Sequence, residues 1–355
     1  METISTFDIV ANETNCRNSE GSFVTLKSGR ILYIYTRYLA GHGRDDDSAD
    51  LACCYSDDQG TSWTLGDVVV RHEPQDMNIM SVSLLRLKSG RILLMYLRKR
   101  KGEDGSTYCM PICRWSDDEA ATWSEPVSCL HSNGYHVVNN DRLVQLSDGR
   151  ILFAAAMHSW GWDGGLTRHP YFVITGYSDD DGGSWMVNPG VVFPLTDSGT
   201  KIGWQEPGLV ELAPCELMMW LRTDLGYQYL SFSHDNGANW SSPRPGLAFR
   251  SPVSPMSMKR DPKDNSLLAV WNDQRPVWGN TNVGDGRMSD RRPLVMARSY
   301  DNGVSWSEHQ LLENAPGHGY CYTAIHFEGK RLLLAYCCGF QGNGHNCLMD
   351  VKIRP

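Results

Sequence analysis

Residues 56–63, Ser-Asp-Asp-Gln-Gly-Thr-Ser-Trp, decide the fold because their pattern, Ser-x-Asp-x-Gly-x-x-Trp, occurs five times in the chain. The other four copies begin at Ser116, Ser178, Ser233 and Ser299. In the second copy Ala120 replaces the glycine. Successive copies begin 60, 62, 55 and 66 positions apart. This period is about the length that a four-stranded antiparallel sheet needs with its loops.

A turn that leads into an apolar strand precedes the copies by about one hairpin. Residues 28–32, 89–93 and 148–152 carry this pattern as Gly-Arg-Ile-Leu after a serine or aspartate. Strand-like runs fill the same place at residues 215–220, 265–271 and 329–336. These signals give six units, of which the sixth lacks the octet and is expected to end in a strand at residues 347–353.

Four-stranded units repeated in this way close radially, which leaves only short sheet edges. The sequence therefore predicts an all-β fold, a six-bladed β-propeller of four-stranded antiparallel blades with five octets. We find no linker or low-complexity segment, so residues 1–355 are predicted to form a single domain.

The octets are predicted to be structural. Their serine and aspartate can bind turn backbone, the glycine can take a positive φ, and the tryptophan can pack the turn onto its blade. A catalytic site needs one constellation of residues, whereas this pattern occurs five times. Function must therefore be carried by other residues.

The net charge, the N-terminal sequence and the cysteines limit which partners and which cellular location are expected. The net charge of −8 argues against nucleic acid or an anionic membrane surface as a partner. Residues 1–12 show no signal-peptide pattern, and no stretch has the length of a transmembrane helix. The eleven cysteines lack metal-finger spacing. We therefore expect reduced thiols, a cytoplasmic location and no metal site.

The octets resemble the Asp boxes of the sialidase (neuraminidase) superfamily, and the resemblance covers almost the whole chain. In that superfamily three arginines bind the substrate carboxylate, a tyrosine assisted by a glutamate is the nucleophile, and an aspartate is the acid/base. The resemblance implies a retaining exo-glycosidase that releases a terminal sialic acid from a glycoconjugate. It implies a sialylated or other acidic glycan as partner, and no metal or organic cofactor.

Glu206 and Arg222 match the superfamily as a pair. Glu206 begins the run Glu-Pro-Gly-Leu-Val-Glu-Leu, and Arg222 ends the following strand 16 positions later. A glutamate and an arginine occupy this spacing in the superfamily. By resemblance Glu206 is the base that assists the tyrosine, and Arg222 is one ligand of the substrate carboxylate.

Two later segments resemble those that carry another arginine of the triad and the nucleophile. Arg291 lies eight residues before the serine of the last octet, with Arg292 as the alternative if the register shifts by one. Tyr322 begins Tyr-Thr-Ala-Ile, which resembles the nucleophile segment, and Tyr320 is a nearby competitor.

The acid/base is expected on the loop before the first octet. Asp45 is favoured by its distance from that octet, and Asp46 is the second candidate. Arg37, on the preceding strand, is expected to contact the sugar or the acid.

The first arginine of the triad is where this sequence departs from the superfamily. Ser19 occupies the register of that arginine, and Arg17 can serve if the strand bulges by two residues. This departure keeps two alternatives open: a glycosidase or lyase for another acidic sugar, such as a 2-keto-3-deoxy acid or a uronic acid, and a non-catalytic glycan-binding propeller. Polar and aromatic residues at 136–142 and 158–163 are further candidates for a glycerol or N-acyl pocket.

Overall fold

A computed structural model describes residues 6–39, 41–131, 134–158, 171–194, 198–279, 291–340 and 348–355. Apart from one turn of 3₁₀ helix at Pro276–Trp278, the regular elements of this part of the chain are strands. In chain order they are β1 (Phe7–Ile9), β2 (Arg17–Thr25), β3 (Ile31–Tyr38), β4 (Ala49–Ser56), β5 (Thr64–Val70), β6 (Asp76–Arg86), β7 (Ile92–Lys101), β8 (Thr107–Ser116), β9 (Val127–Ser128), β10 (Tyr135–Val137), β11 (Val144–Gln145), β12 (Ile151–His158), β13 (Phe172–Ser178), β14 (Met186–Val192), β15 (Gln205–Ala213), β16 (Glu216–Arg222), β17 (Tyr227–Ser233), β18 (Arg244–Arg250), β19 (Ser257–Arg260), β20 (Leu267–Asn272), β21 (Leu294–Ser299), β22 (Gln310–Glu313), β23 (His318–Glu328), β24 (Arg331–Phe340) and β25 (Asp350–Arg354).

These strands form antiparallel meanders of the predicted kind. Separate four-stranded sheets are built from β2–β5, β15–β18 and β19–β22, and a fourth sheet has the order β1-β25-β24-β23. The meanders β6–β9 and β10–β14 share one nine-stranded sheet, because Tyr135 pairs in parallel with Cys109. The described strands thus make five hydrogen-bonded sheets, and the count of six separate blades remains a prediction that treats these two meanders as two blades.

The meanders contact one another in a ring. Strand β2 contacts both β6 and β23, β10 contacts β8, β12 contacts β15, and β19 contacts both β15 and β23. Successive meanders are therefore neighbours, and the last meander returns to the first. This arrangement is a β-propeller, as the repeat predicts.

The core lies between consecutive meanders. The described residues contain six buried apolar clusters, and each is made by two neighbouring meanders. Alternate residues of one strand enter different clusters: Ile31 and Tyr33 of β3 pack toward the last meander, and Leu32 and Ile34 toward the second. Both faces of such a strand are buried, which explains its continuous apolar run.

The N-terminal strand completes the last meander. Strand β1 pairs antiparallel with β25, with Phe7 opposite Ile353 and Ile9 opposite Val351. The sequence analysis missed β1, because three residues carry too little alternation to be recognised. The first and last parts of the chain thus share one sheet, which closes the ring.

All five octets fold in the same way. In the first, the Ser56 Oγ donates to Asp58 Oδ1 at 2.7 Å and accepts from the Gly60 N–H at 2.8 Å, and Asp58 in turn binds Ser62. The equivalent serine–aspartate bond occurs in the other four. Each octet tryptophan packs against an apolar cluster between meanders. These contacts support the structural role predicted for the octets.

Ala120 occupies the octet position that is glycine elsewhere, with φ +65°. A left-handed conformation costs a non-glycine residue roughly 1–2 kcal/mol, whereas glycine adds about 0.4–1 kcal/mol of unfolded-state entropy. We expect Ala120→Gly to raise the free energy of unfolding by about 0.5–1 kcal/mol in denaturant titration. The matched change Gly182→Ala should lower it, because the new Cβ would lie 2.8 Å from Leu93 Cδ2. A stabilised Gly182→Ala protein would contradict this account.

Within the described ranges, no helix has the length and apolar content needed to cross a membrane.

Candidate active site

A strained position recurs on the innermost strands. Five non-glycine residues near the inner end of these strands have φ between +37° and +60°: Glu20, Ser81, Asp141, Glu206 and Tyr322. Four of them coincide with a β-bulge, where the register of the first hairpin shifts. A bulge redirects a side chain, and strained backbone of this kind clusters at functional sites. Two of the five are the predicted base and nucleophile.

Tyr322 and Glu206 meet although they lie 116 residues apart in the chain. The Tyr322 hydroxyl donates to Glu206 Oε1 at 3.3 Å. The bulge on β23 turns Tyr322 toward β15, and the bulge on β15 turns Glu206 toward it. A carboxylate in this position can accept the phenolic proton, which is the contact that a tyrosine nucleophile requires.

Arg222 binds the other oxygen of the same carboxylate. Its Nη1 lies 2.7 Å from Glu206 Oε2, and both side chains are largely buried. The contact follows from the β15–β16 hairpin, in which Gln205 pairs with Arg222. This register explains the 16-residue spacing in the sequence.

Arg291 lies beneath the Tyr322 ring. Its guanidinium carbon is 5.2 Å from the ring centroid, and its Nη1 donates to Cys321 Sγ at 2.8 Å. The residue is only 2% exposed. Arg291 and Arg222 therefore flank the phenol, one against its ring and one against its hydrogen-bond partner.

The environment of Tyr322 keeps its phenol protonated at rest. Burial raises the pKa of Tyr322 well above its usual value, and the Glu206 charge raises it further, while Arg291 and Arg222 oppose the shift. The hydroxyl cannot ionise on its own near neutral pH. Ionisation of Tyr322 therefore needs a group that accepts its proton, and the Glu206 carboxylate is hydrogen-bonded to the hydroxyl.

The two competitors lie in less suitable places. The Tyr320 side chain belongs to the apolar cluster between β20 and β24, and its ring centroid is 6.1 Å from that of Tyr336. Arg292 is half-buried and its Nη1 reaches Asn314 Oδ1 at 3.5 Å. The geometry thus favours Tyr322 and Arg291 over the neighbours that the sequence left open.

Arg17 and Asp45 form an ion pair with an N–O distance of 2.6 Å. Arg17 also donates to Ser19 Oγ at 3.2 Å and lies over the Tyr38 ring. The bulge between Ser19 and Ser22 places two residues of β2 opposite one residue of β3, so it adds one residue rather than two. The suggested two-residue shift of Arg17 is therefore not what β2 adopts.

The neighbouring charges set the protonation state of Asp45. Desolvation opposes ionisation of its carboxyl, but the charges of Arg17 and Lys99 outweigh it and lower its pKa to about 2. The side chain is also 70% exposed. An ionised carboxylate paired with arginine can position Arg17, and protonation of Asp45 would break this ion pair.

The other candidates on this loop are placed differently. Asp46 is exposed, and Asp47 caps the loop by accepting from the backbone N–H groups of His42 and Arg44. Arg37 is half-buried, and within the described ranges the structure gives it no ion pair; the partner of Asp45 is Arg17.

Sequence reasoning missed Glu20. Its carboxyl accepts from Ser81 Oγ at 3.0 Å, and it lies within electrostatic range of Arg17, Asp45 and Glu206. The charges of both the Arg17–Asp45 pair and Glu206 therefore act on this carboxyl. The spacing in the sequence could have identified Glu20. It lies nine positions before the turn residue Gly29, just as Glu206 lies nine positions before the turn residue Cys215.

Asp141, in the candidate cluster 136–142, has a structural role. It accepts from Ser22 Oγ at 2.8 Å, Lys259 Nζ at 2.6 Å and the Ile325 N–H at 3.0 Å. It thereby ties the innermost strands of the first, fifth and sixth meanders to the third. In the second candidate cluster, residues 159–163 lie outside the described part of the chain.

In the described ranges, no group of three or more His, Cys, Asp or Glu side chains is arranged to hold a metal ion.

Comparison with known proteins places the chain in a family. The BNR repeat-like domain model matches residues 34–333. No curated protein matches the sequence significantly.

Solved structures share the fold. The Hadza microbial sialidase Hz136 aligns with a TM-score of 0.72 at 18% identity, over 96% of this chain and 65% of its own. A protein of unknown function from Dyadobacter fermentans aligns with a TM-score of 0.73 at 18% identity, over 100% of this chain and 99% of its own. Trypanosoma rangeli sialidase aligns with a TM-score of 0.69 at 13% identity, over 99% of this chain and 58% of its own. That structure is a complex with 2,3-difluorosialic acid, a covalent intermediate. The chain thus spans less than two thirds of either sialidase, and the likeness establishes the fold.

Proposed function

The chain belongs to the BNR repeat-like domain family, and within that family we propose that it is a sialidase-like retaining exo-glycosidase. It releases a terminal sialic acid from a glycoconjugate. The contact that carries this proposal is the hydrogen bond of 3.3 Å between the Tyr322 hydroxyl and Glu206 Oε1. A binding propeller has no need of a strained tyrosine held against a strained glutamate.

The chemistry suits a sugar whose anomeric carbon carries a carboxylate. An anionic nucleophile would be repelled by that group, whereas a neutral phenol that loses its proton as it attacks is not. Glu206 receives the proton, and Arg222 holds Glu206 in place at 2.7 Å. Arg222 and Arg291 also bind the substrate carboxylate, since guanidinium groups form paired hydrogen bonds with it.

A second candidate substrate is favoured by one observation. Arg17 is bound to Asp45, and Glu20 lies next to it, so this side of the site is more acidic than a clamp of three arginines. Another acidic sugar, a 2-keto-3-deoxy acid or a uronic acid, would place its ring hydroxyls against these carboxyls. The catalytic roles of Tyr322 and Glu206 would stay the same for the keto acid.

The proposal is tested by a panel of 4-methylumbelliferyl glycosides of sialic acid, a 2-keto-3-deoxy acid, a uronic acid and a neutral hexose. We expect the sialoside to give the highest kcat/KM and the neutral hexoside to give none. Release from the keto-acid or uronic-acid substrate alone would replace sialic acid as the substrate. Glycan binding without release from any member would identify a binding propeller.

A further inference from the structure

The third meander sends a short segment across the centre of the ring. Strands β10 and β11 both pair with β12, and the described residues 138–143 between them form no strand. Within this interruption, Asn140, Asp141 and Arg142 are hydrogen-bonded to residues of β2, β6, β19 and β23. Those strands belong to the first, second, fifth and sixth meanders, so residues 140–142, here called the central segment, lie where these meanders converge.

Asn140 is the member of the central segment that contacts the proposed nucleophile. Its Nδ2 donates to the Gly21 carbonyl at 2.8 Å and to the Tyr322 carbonyl at 3.0 Å. An amide nitrogen carries two hydrogens, so both are used in these bonds. The side chain is completely buried. Asn140 therefore ties β2 and β23 together from within the protein.

Both carbonyls belong to β-bulges. Tyr322 lies in the bulge of β23 and has φ +57°. Gly21 lies in the bulge of β2, next to Glu20, which has φ +37°. A positive φ is strained for a tyrosine and persists only where the surrounding structure enforces it. Because the left-handed conformation changes the direction of the Tyr322 carbonyl, a donor fixed at that point favours this conformation over an extended one.

The direction of the Tyr322 side chain depends on the same bulge. In a regular strand successive side chains point to opposite faces of the sheet, and a bulge interrupts that alternation. The hydrogen bond of 3.3 Å from the Tyr322 hydroxyl to Glu206 Oε1 is made in the bulged conformation. Relaxation of the bulge would therefore turn the phenol away from Glu206.

The neighbours of Asn140 hold it in place. Asn139 Oδ1 accepts from the Asn140 N–H at 2.9 Å, and the Arg142 N–H donates to Ser83 Oγ at 2.8 Å. The carboxylate of Asp141 lies between them in the chain and accepts from Lys259 Nζ at 2.6 Å. The central segment is thus anchored on both sides of the amide that binds Tyr322.

We propose that Asn140 is a positioning residue, which holds Tyr322 in the strained conformation that directs its phenol to Glu206. The inference rests on the proposed function, in which Tyr322 is the nucleophile. Asn140 acts through the Tyr322 carbonyl and not on the reacting atoms. Its loss should therefore slow the attack by Tyr322, while Arg222 and Arg291 still bind the substrate carboxylate.

The test separates the rate of covalent labelling from its final amount. The protein is incubated with a 2,3-difluorosialic acid donor, and labelled protein is followed over time by mass spectrometry. We expect Asn140→Ala to lower the rate constant of labelling about 10- to 100-fold, because a small displacement of a reacting group has an effect of this size. The amount of label at completion should stay at one group per protein. A role in folding alone would lower that amount and leave the rate constant unchanged.

Asn188→Ala is the matched control. Asn188 is a buried asparagine of the same meander, on its outermost strand β14, and its Nδ2 donates to Thr175 Oγ1 at 2.9 Å. Its replacement also removes a buried amide, but one that contacts neither Tyr322 nor its strand. Both the rate constant and the amount of label should equal those of the unmodified protein.

The outcomes separate the two proposals. An unmodified protein that neither hydrolyses a sialoside nor takes up label overturns the proposed function, and this inference with it. If the unmodified protein is labelled, an unchanged rate constant in Asn140→Ala overturns the role of Asn140 alone. Equal slowing in Asn188→Ala would do the same, because the effect would then be general.

A second variant keeps the inference testable if Asn140→Ala fails to fold. Asn139→Ala removes the acceptor of the Asn140 N–H. It also removes a buried Nδ2 that has no hydrogen-bond partner in the described part of the chain, which offsets part of the cost to stability. Asn140 is then held less firmly, so the rate constant of labelling should fall by a smaller factor at full final labelling. An unchanged rate constant in the folded Asn139→Ala protein would contradict the proposal.

Discussion

Replacing Tyr322 with phenylalanine is expected to abolish glycoside hydrolysis while leaving the fold and substrate binding in place. Only a hydroxyl is lost, and the ring that packs over Arg291 remains. Without that oxygen no glycosyl-enzyme forms, so kcat should fall on the order of 10³-fold or more. Single-turnover and steady-state kinetics measure the loss, and titration with a substrate analogue measures the retained affinity.

Tyr320→Phe is the matched control. The Tyr320 side chain lies in the apolar cluster between β20 and β24, so its loss of a hydroxyl should leave kcat within a few-fold. Glu206→Gln should also slow turnover. The double variant Tyr322→Phe/Glu206→Gln should be no slower than the slower of the two single variants, because the two side chains act as one unit. Full activity in Tyr322→Phe would exclude the tyrosyl mechanism.

Replacing Arg291 with alanine is expected to remove much of the recognition of the substrate carboxylate. A buried charge that loses its partner costs about 2–5 kcal/mol, which corresponds to a fall in kcat/KM of roughly 30- to several thousand-fold. The control is Arg292→Ala, which removes an equal charge one residue away while Arg291 stays against the Tyr322 ring, so kcat/KM should fall far less.

A second substrate separates carboxylate binding from a general disturbance of Tyr322. The unmodified protein should discriminate strongly between a sialoside and its methyl ester, whose carboxyl carries no charge. Arg291→Ala should discriminate far less, because the partner of the charge is gone. Equal discrimination in both proteins would mean that Arg291 supports the Tyr322 ring without binding the carboxylate.

The fold was predictable because its units repeat. Five octets and six turn-and-strand patterns each give a weak local signal, and their regular spacing makes them strong together. Strand β1 was missed because it is three residues long and depends on β25 at the far end of the chain. Its pairing is a property of ring closure, which no local pattern carries.

The site was predictable where two of its members lie in one hairpin. Glu206 and Arg222 belong to β15 and β16, so their contact is encoded in a fixed spacing. Tyr322 could be placed only through resemblance, since its contact with Glu206 depends on two bulges in different meanders. The remaining contacts of the site could not be predicted from the sequence. Asp45 was favoured from its position on the loop, but its ion pair with Arg17 is visible only in the structure. The burial of Glu20 is likewise visible only in the structure.

The central claim, that Tyr322 is the nucleophile of a sialidase-like reaction, is tested most directly by covalent trapping. The protein is incubated with a 2,3-difluorosialic acid donor, and the modified peptide is located by mass spectrometry. We predict one added fluorosialyl group on Tyr322, and none on the Tyr322→Phe protein. A protein that hydrolyses sialosides but carries the group on Tyr320, on Glu206 or on another carboxylate would contradict the account.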